Sequence, residues 1–168
     1  IDFQLEYVKD LGAWGELELY GIATLQTSLE SQVTSIDVPV ERVGNSDGPL
    51  RWRGNYGLAW KRGNWNLALN NQWYDSYHVY GSYDSEETRE ILTRGQGSDR
   101  VKPQQYTDAS ARYTVRGGTF DGMQLSAGLR NVFGSRPPTL ATLDSRGGYS
   151  TYGDPRGRTY ALSIKIPF

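Results

Sequence analysis

The sequence contains no cysteine, one histidine and one methionine among its 168 residues. Without cysteine the chain forms neither a disulfide framework nor a cysteine-ligated metal site. The net charge of −1 argues against a general polyanion-binding surface, so no nucleic-acid partner is predicted. No apolar run approaches the ~20 residues that a membrane-spanning helix needs. These absences argue against a disulfide-stabilised domain, a cysteine-ligated metalloprotein, a nucleic-acid-binding protein and a helical membrane protein.

Aromatic residues and glycine are abundant, with 12 Tyr, 5 Trp and 20 Gly. The mean hydropathy of −0.62 suggests a chain with too few apolar residues for a large core. Those apolar residues nevertheless alternate with polar ones, as in strands with one apolar and one polar face. Helical periodicity is nearly absent, and the stretch SEETREIL (85–92) predicts at most one or two helical turns. The alternating segments cover residues 2–7, 16–25, 51–61, 64–73, 108–116, 123–130 and 160–168.

Short and long connections alternate between these segments. The short ones, near residues 12, 62 and 119, contain the Gly, Asn or Asp of tight hairpin turns. The long ones are polar and cover residues 32–48, 81–102 and 134–156. In an up-and-down antiparallel sheet, all turns then lie at one end and all long loops at the other. Outer-membrane β-barrels have this asymmetry.

The two faces of the predicted strands differ in a way that favours a membrane barrel. Trp and Tyr lie near the strand ends on the apolar face, as in the aromatic girdles at membrane interfaces. Asn71 is an exception on that face. The opposite face is too charged for a dry core, and a basic side chain turned to mid-bilayer lipid costs about 2–4 kcal/mol. The predicted lumen-facing polar residues are Glu16, Glu18, Arg51, Arg53, Arg112, Arg130 and Lys165.

About seven antiparallel strands cannot close into a barrel, because the first and last run parallel and bacterial barrels have even strand numbers. An open sheet in lipid leaves backbone groups unpaired at both edges. The sequence therefore predicts an all-β, transmembrane, antiparallel up-and-down β-barrel of which this chain is the final arc.

Two stretches near the end of the chain carry a family resemblance. GLRNVFGSRPP (128–138) and YSTYGDPRGRTYALSIKIPF (149–168) resemble the C-terminal end of TonB-dependent outer-membrane receptors. That family often closes with an Asn-Leu-Phe element, a Tyr-x-x-Pro-Arg stretch and a last strand ending in Phe. The sequence departs from the pattern at Gly134, where the family frequently has Asp, and it lacks the plug domain and the energy-coupling TonB box.

The resemblance implies that residues 1–168 form about the last seven strands of a 22-stranded barrel in the outer membrane of a Gram-negative bacterium. It implies active transport of a scarce nutrient such as a ferric siderophore, cobalamin or an oligosaccharide, energised through the TonB complex by way of the plug. The implied partners are the lipid bilayer, the remaining strands and plug, the barrel-assembly machinery and a small-molecule nutrient. The implied barrel-assembly signal consists of Tyr160, Leu162, Ile164, Ile166 and Phe168.

Aromatic and imidazole side chains in the long loops are candidates for ligand contact. They are His78, Tyr80, Tyr83, Tyr149 and Tyr152. One histidine without a second soft ligand does not indicate a metal site, and the acidic stretch 84–90 does not have the spacing of an EF-hand. No catalytic residue, cofactor or metal is predicted. Two alternatives remain open: a passive porin-like barrel and a soluble β-sandwich that binds carbohydrate.

Overall fold

The structure is a computed structural model that describes residues 1–143 and 148–167. Within these ranges lie thirteen strands, one α-helix and a short 3-10 helix at Gly12–Trp14. The longer strands are β1 (Asp2–Asp10), β2 (Glu16–Leu25), β5 (Trp52–Arg62), β6 (Trp65–Tyr74), β9 (Gln104–Thr114), β10 (Gln124–Arg130) and β13 (Thr159–Lys165). The two-residue strands are β3 (Glu30–Ser31), β4 (Val40–Glu41), β7 (Tyr77–His78), β8 (Arg100–Val101), β11 (Thr139–Leu140) and β12 (Gly148–Tyr149).

The seven longer strands form one sheet in the order β1-β2-β5-β6-β9-β10-β13, and every neighbouring pair is antiparallel. The predicted all-β antiparallel architecture is confirmed. Within the described residues the sheet is open, since β1 and β13 each pair on one side only. A closed 22-stranded barrel stays a prediction.

Short and long connections lie at opposite ends of the sheet, as the sequence predicts. We call these ends the turn end and the loop end. The connection between β5 and β6 consists of two residues, Gly63 and Asn64. Gly63 has φ +57° at the first central position, as a type II′ hairpin turn requires. This turn keeps the two strands in tight register.

The loop-end connections contain a helix longer than expected. Helix α1 covers Glu86–Gln96, about three turns rather than one or two. Ser85 caps its N-terminus by accepting a hydrogen bond from the Thr88 amide, and Gly97 ends it in a left-handed conformation. Both capping signals are in the sequence, but the periodicity of the stretch is too weak to predict the length. Among the described residues, no helix is long and apolar enough to span a membrane.

The buried core lies in the loops rather than in the sheet. Five buried side chains from the first two long loops pack together there, and we call this cluster the loop core. Leu140, Ala141 and Tyr152 of the last long loop pack against it. The three long loops therefore form one packed layer over the loop end of the sheet. The loop core consists of Leu50, Tyr77, Val79, Leu92 and Val101.

Candidate functional site

One face of the sheet is apolar across all seven strands. The register brings Leu162 opposite Ala127, and Ala127 opposite Ala111. Leu162 is 85% exposed, and no second layer of described residues covers these side chains. Apolar surfaces of this extent mark sites of membrane or protein contact. This apolar face also includes Phe3, Leu5, Tyr7, Leu17, Leu19, Tyr56, Leu58, Trp65, Leu67, Leu69, Leu125, Leu129, Tyr160 and Ile164.

Aromatic side chains lie near both ends of the apolar face. Trp52 and Trp60 are eight residues apart in β5, which corresponds to about 27 Å along the strand. At the loop end Phe3 stacks on Trp52 with ring centroids 6.0 Å apart. At the turn end Trp65 and Tyr113 lie 4.8 Å apart. The separation of the two aromatic groups matches the ~25 Å apolar band of outer-membrane barrels.

Asn71, the polar exception on this face, lies in a small hydrogen-bonded cluster. Its Oδ1 accepts hydrogen bonds from Thr107 Oγ1 at 2.6 Å and from Gln105 Nε2 at 3.2 Å. Gln105 Nε2 also donates to the Tyr56 hydroxyl at 2.9 Å. Polar groups in an apolar environment are tolerated when they satisfy one another. The cluster lies toward the loop end, close to the aromatic residues.

The opposite face is polar, and at its turn end it carries a three-residue ion-pair cluster. Lys61 Nζ lies 3.2 Å from Glu16 Oε1 and 3.5 Å from Glu18 Oε2. Lys61 was not among the predicted lumen-facing residues. Its alternation with Trp60, which belongs to the apolar face, would have identified it.

Four of the five other predicted lumen-facing charges lie in four different strands. Arg51 lies one residue before β5, outside the sheet. The other four basic residues belong to the polar face and have mainly small or polar neighbours. The register places Arg53 opposite Thr24, Arg112 opposite Ser126, Arg130 opposite Thr159 and Lys165 opposite Gln124.

Three residues of the predicted assembly signal lie in β13, which is exposed along its whole length. Tyr160, Leu162 and Ile164 point to the apolar face, opposite Leu129, Ala127 and Leu125. Ile166 follows the strand and is 46% exposed. Phe168 lies outside the described residues.

Among the loop candidates, His78 and Tyr80 lie together. Their rings are stacked with centroids 4.8 Å apart and an interplanar angle of 19°. The Arg89 guanidinium lies 5.1 Å from the centre of the same Tyr80 ring. Tyr80 is thus already engaged by two groups of the protein.

Tyr152 of the last long loop belongs to an aromatic group around the buried Tyr77. It stacks on Tyr74 at 5.6 Å and meets Tyr77 edge-on at 5.7 Å. Burial raises the pKa of its hydroxyl above the ordinary value. Next to it, Ser150 Oγ accepts hydrogen bonds from the Tyr77 hydroxyl at 2.9 Å and from Gln104 Nε2 at 2.6 Å. These hydrogen bonds join two long loops to the start of β9.

Tyr83 and Tyr149 are half exposed and lie apart from the other candidates. The Tyr83 hydroxyl donates to the Ser31 carbonyl at 2.9 Å, which joins the second long loop to the first. Tyr149 is in β12, opposite Thr139. With exposed fractions of 50% and 51%, these two aromatic rings are accessible from solvent.

Helix α1 forms one wall of an open cleft of about 520 Å³ at the loop end. Arg89 and Arg94 provide its positive charge, and neither was identified from the sequence. Its full lining is Tyr80, Glu86, Arg89, Glu90, Thr93, Arg94 and Asp99. Together these side chains offer charge of both signs to a small polar molecule.

Two carboxylates in the loops are held in their charged form. Hydrogen bonds from Arg156, together with its positive charge, lower the pKa of Asp154 to about 2. Hydrogen bonds from Ser28 and from the Val43 and Leu29 amides lower the pKa of Glu41 to about 2. Both carboxylates therefore stay charged to a lower pH than ordinary Asp and Glu side chains.

Comparison with known proteins finds similarity at the level of the fold. No protein-family model and no curated sequence matches this chain. A mutant of the ferric enterobactin receptor PfeA of Pseudomonas aeruginosa superposes with a TM-score of 0.60 at 19% identity, over 98% of this chain. A second mutant, in complex with enterobactin, gives 0.57 at 21% identity over 95%. The chain spans about a fifth of these receptors, 22% and 21%. The resemblance to TonB-dependent receptors is thereby confirmed for the fold.

Proposed function

We propose that residues 1–168 are the C-terminal barrel segment of a TonB-dependent receptor in the outer membrane of a Gram-negative bacterium. The whole receptor takes up a scarce nutrient such as a ferric siderophore, cobalamin or an oligosaccharide. The plug domain, the TonB box and the earlier strands belong to the rest of the receptor. The observation that carries this proposal is the apolar face, which stays in register over all seven strands.

The open edges of the sheet support a larger barrel. Strands β1 and β13 run in the same direction, because an even number of antiparallel steps separates them. They cannot close on each other as antiparallel neighbours. In lipid, the unpaired backbone groups of each edge cost several kcal/mol per group. An odd number of further strands between them gives an even total and closes the barrel.

In this receptor the polar face lines the lumen and contacts the plug. We assign this role to Glu16, Glu18, Arg51, Arg53, Arg112, Arg130 and Lys165, together with Lys61. The TonB complex acts on the plug and supplies the energy for transport. The last strand, from Tyr160 to Phe168, carries the signal for the barrel-assembly machinery.

The loop layer receives the nutrient. The cleft beside α1 lies at the loop end, which faces the cell exterior in this orientation. Arg89 and Arg94 suit the negatively charged groups of a small ligand, because a guanidinium donates several hydrogen bonds in a fixed plane. The similar receptor PfeA binds enterobactin, and this supports a siderophore as the first ligand to test.

The proposal is tested by measuring nutrient uptake in cells whose native receptor gene has been deleted and replaced by an expressed copy. Cells expressing the complete receptor are given labelled ferric siderophores, cobalamin and oligosaccharides, with and without a functional TonB complex. Saturable uptake that requires TonB is expected for one of these nutrients. Unsaturable uptake that is independent of TonB would instead indicate a passive pore. A protein recovered without detergent in the soluble fraction would exclude the membrane barrel.

The cleft is tested in the same cells with Arg94→Ala. Arg116→Ala is the matched control, because Arg116 is also an exposed arginine but lies at the turn end. We expect Arg94→Ala to raise the concentration needed for half-maximal uptake and Arg116→Ala to leave it unchanged. Equal effects of the two substitutions, at equal surface amounts of receptor, would exclude a specific role for the cleft.

A further inference from the structure

The only histidine of the sequence, His78, lies close to two arginines, Arg100 and Arg89, in the loop layer. His78 is in β7 and pairs with Arg100 of β8. Its amide donates to the Gly44 carbonyl of the first long loop at 2.7 Å. Its neighbours Tyr77 and Val79 are buried in the loop core. We call β7 and β8, with Asp99, the histidine ribbon.

The contact between His78 and Arg100 determines the form of the imidazole. Arg100 Nη2 lies 3.4 Å from His78 Nε2. A guanidinium donates hydrogen bonds and never accepts them, so Nε2 must present its lone pair. This contact requires a neutral ring with its single proton on Nδ1, a nitrogen that has no hydrogen-bond partner among the described residues. A second proton would occupy the lone pair and place two cations in contact.

The groups around the ring favour this neutral form on balance. Asp99 Oδ2 lies 3.7 Å from Nδ1, beyond hydrogen-bonding distance, and the Asp99 side chain is 56% exposed. Arg89 adds a second positive charge from α1. Burial first, and Arg100 second, lower the pKa of His78 below its ordinary value, against the raising effect of Asp99.

Further charged groups of the loop layer line the adjoining cleft. Glu86, Glu90 and Arg94 line that cleft together with Tyr80 and Asp99. Tyr80 covers the His78 ring by stacking on it, which limits the access of water. The imidazole thus lies between one partly solvated carboxylate and two guanidinium groups.

We propose that the histidine ribbon is an acid-sensitive contact within the outer loop layer. The ribbon opens when His78 takes up a second proton. Protonation removes the acceptor for Arg100 Nη2, while Arg100 Nη1 keeps its hydrogen bond to Ser76 Oγ at 3.2 Å. It also adds repulsion from Arg100 and Arg89. The ribbon has only two paired residues in each strand, and one further backbone hydrogen bond, from the Val79 amide to the Asp99 carbonyl at 3.0 Å, adjoins them. The buried side chains of Tyr77 and Val79 on one side and Val101 on the other keep the loop core together beneath it, so the opening is confined to the His78–Arg100 pair. Mild acid therefore loosens the ribbon and the adjoining wall of the cleft without unfolding the sheet.

The direction of the pH effect follows from linkage. A histidine whose pKa is lower in the folded than in the open state binds fewer protons when folded. The closed ribbon is then fully stabilised above the ordinary pKa of about 6.5. That stabilisation is lost as the pH falls from about 6.5 to the lower value of the closed state.

Hydrogen–deuterium exchange on the complete protein in detergent micelles tests this proposal without any ligand. Peptides that cover residues 76–80 and 98–102 are followed at pH 7.5 and pH 5.0, with labelling times scaled for the chemical exchange rate. We expect lower protection at pH 5.0 than at pH 7.5, because the open ribbon binds the second proton more tightly than the closed one. Peptides from β6 and β9 should not change. Equal protection of the ribbon at both pH values would overturn the proposal.

Two variants assign the effect to this contact. His78→Gln keeps an acceptor for Arg100 but takes up no proton, so its ribbon should be equally protected at both pH values. A full acid response in this variant would contradict the proposal. If the ribbon of His78→Gln is open at both pH values, a second variant, Arg100→Gln, tests the proposal. It keeps the titrating histidine but removes the facing cation, so the acid response should shrink, and an unchanged response would also overturn the proposal.

Discussion

Thr107 Oγ1 donates a 2.6 Å hydrogen bond to Asn71 Oδ1 within a face of the sheet that is otherwise apolar. The two residues lie opposite each other in β9 and β6. Because the face meets lipid in our proposal, neither group has water as an alternative partner. The pair explains an asparagine that alternation alone leaves unexplained.

A double-mutant cycle on this pair should show strong coupling. Asn71→Leu alone leaves the Thr107 hydroxyl without its acceptor, at a cost of about 1–3 kcal/mol, whereas Gln105 keeps its hydrogen bond to Tyr56. Adding Thr107→Val should recover part of that loss, since the orphaned donor is then removed. Urea unfolding of the receptor in lipid vesicles measures the three free energies. Strictly additive effects would show that the hydrogen bond contributes nothing on this face.

Two neighbouring positions in β6 distinguish the two faces. Leu69 lies on the apolar face midway between Trp65 and Trp73, and Ala68 lies on the polar face. Leu69→Arg should destabilise the folded receptor by about 2–4 kcal/mol, the cost of a basic side chain at the bilayer midplane. Ala68→Arg adds the same charge toward the lumen and should cost much less. The folded fraction in outer membranes, measured by the gel shift on heating, gives the comparison, and equal losses would argue against a lipid-facing surface.

The buried Ser150 hydroxyl should matter more than the Tyr77 hydroxyl bonded to it. Ser150→Ala leaves two buried donors unpaired, one on Tyr77 and one on Gln104. Tyr77→Phe removes one donor and leaves the Gln104 bond to Ser150 in place. We expect costs of about 2 kcal/mol or more and about 1 kcal/mol, respectively. Hydrogen–deuterium exchange of residues 148–153 should show this order, and the reverse order would mean that the network does not hold the loop.

Asp47 should make the contact between the first two long loops pH-dependent. Burial raises the pKa of Asp47, but hydrogen bonds from the Ser82 amide and hydroxyl outweigh it, and the net pKa is below the ordinary value. The contact is therefore stabilised above about pH 4 and weakens as the pH falls through the folded value. Exchange of residues 42–48 should increase between pH 5 and pH 3 in the native protein.

The matching variants separate this effect from general acid sensitivity. Asp47→Asn should weaken the contact at every pH and remove its pH dependence, because an amide has one acceptor oxygen and does not titrate in this range. Glu87→Gln, on the exposed side of α1, should retain the native pH dependence. Loss of the dependence in both variants would point to a global effect of charge.

The seven long strands were predictable because the signal for each, the alternation of apolar and polar residues, lies within the strand itself. A period of two assigns each residue to a face, and the antiparallel register then aligns Leu162 with Ala127 and Ala111. The two-residue turn at Gly63 and the capping signals of Ser85 and Gly97 are equally local. The length of α1 was underestimated because its stability comes partly from burying Leu92 in the loop core, among residues distant in sequence.

The loop layer was not predictable for the same reason. Tyr77 and Ser150 are 73 residues apart along the chain and meet only after the sheet has brought two loops to the same end. Arg100 faces His78 through a ribbon of two residue pairs, too short to leave a periodic signal in the sequence. Periodicity alone determined the strands, their two faces and the end at which the long loops lie, because backbone geometry translates alternation directly into position. Tertiary structure decided which loop side chains meet and which remain accessible, because those contacts depend on packing between segments that share no local pattern.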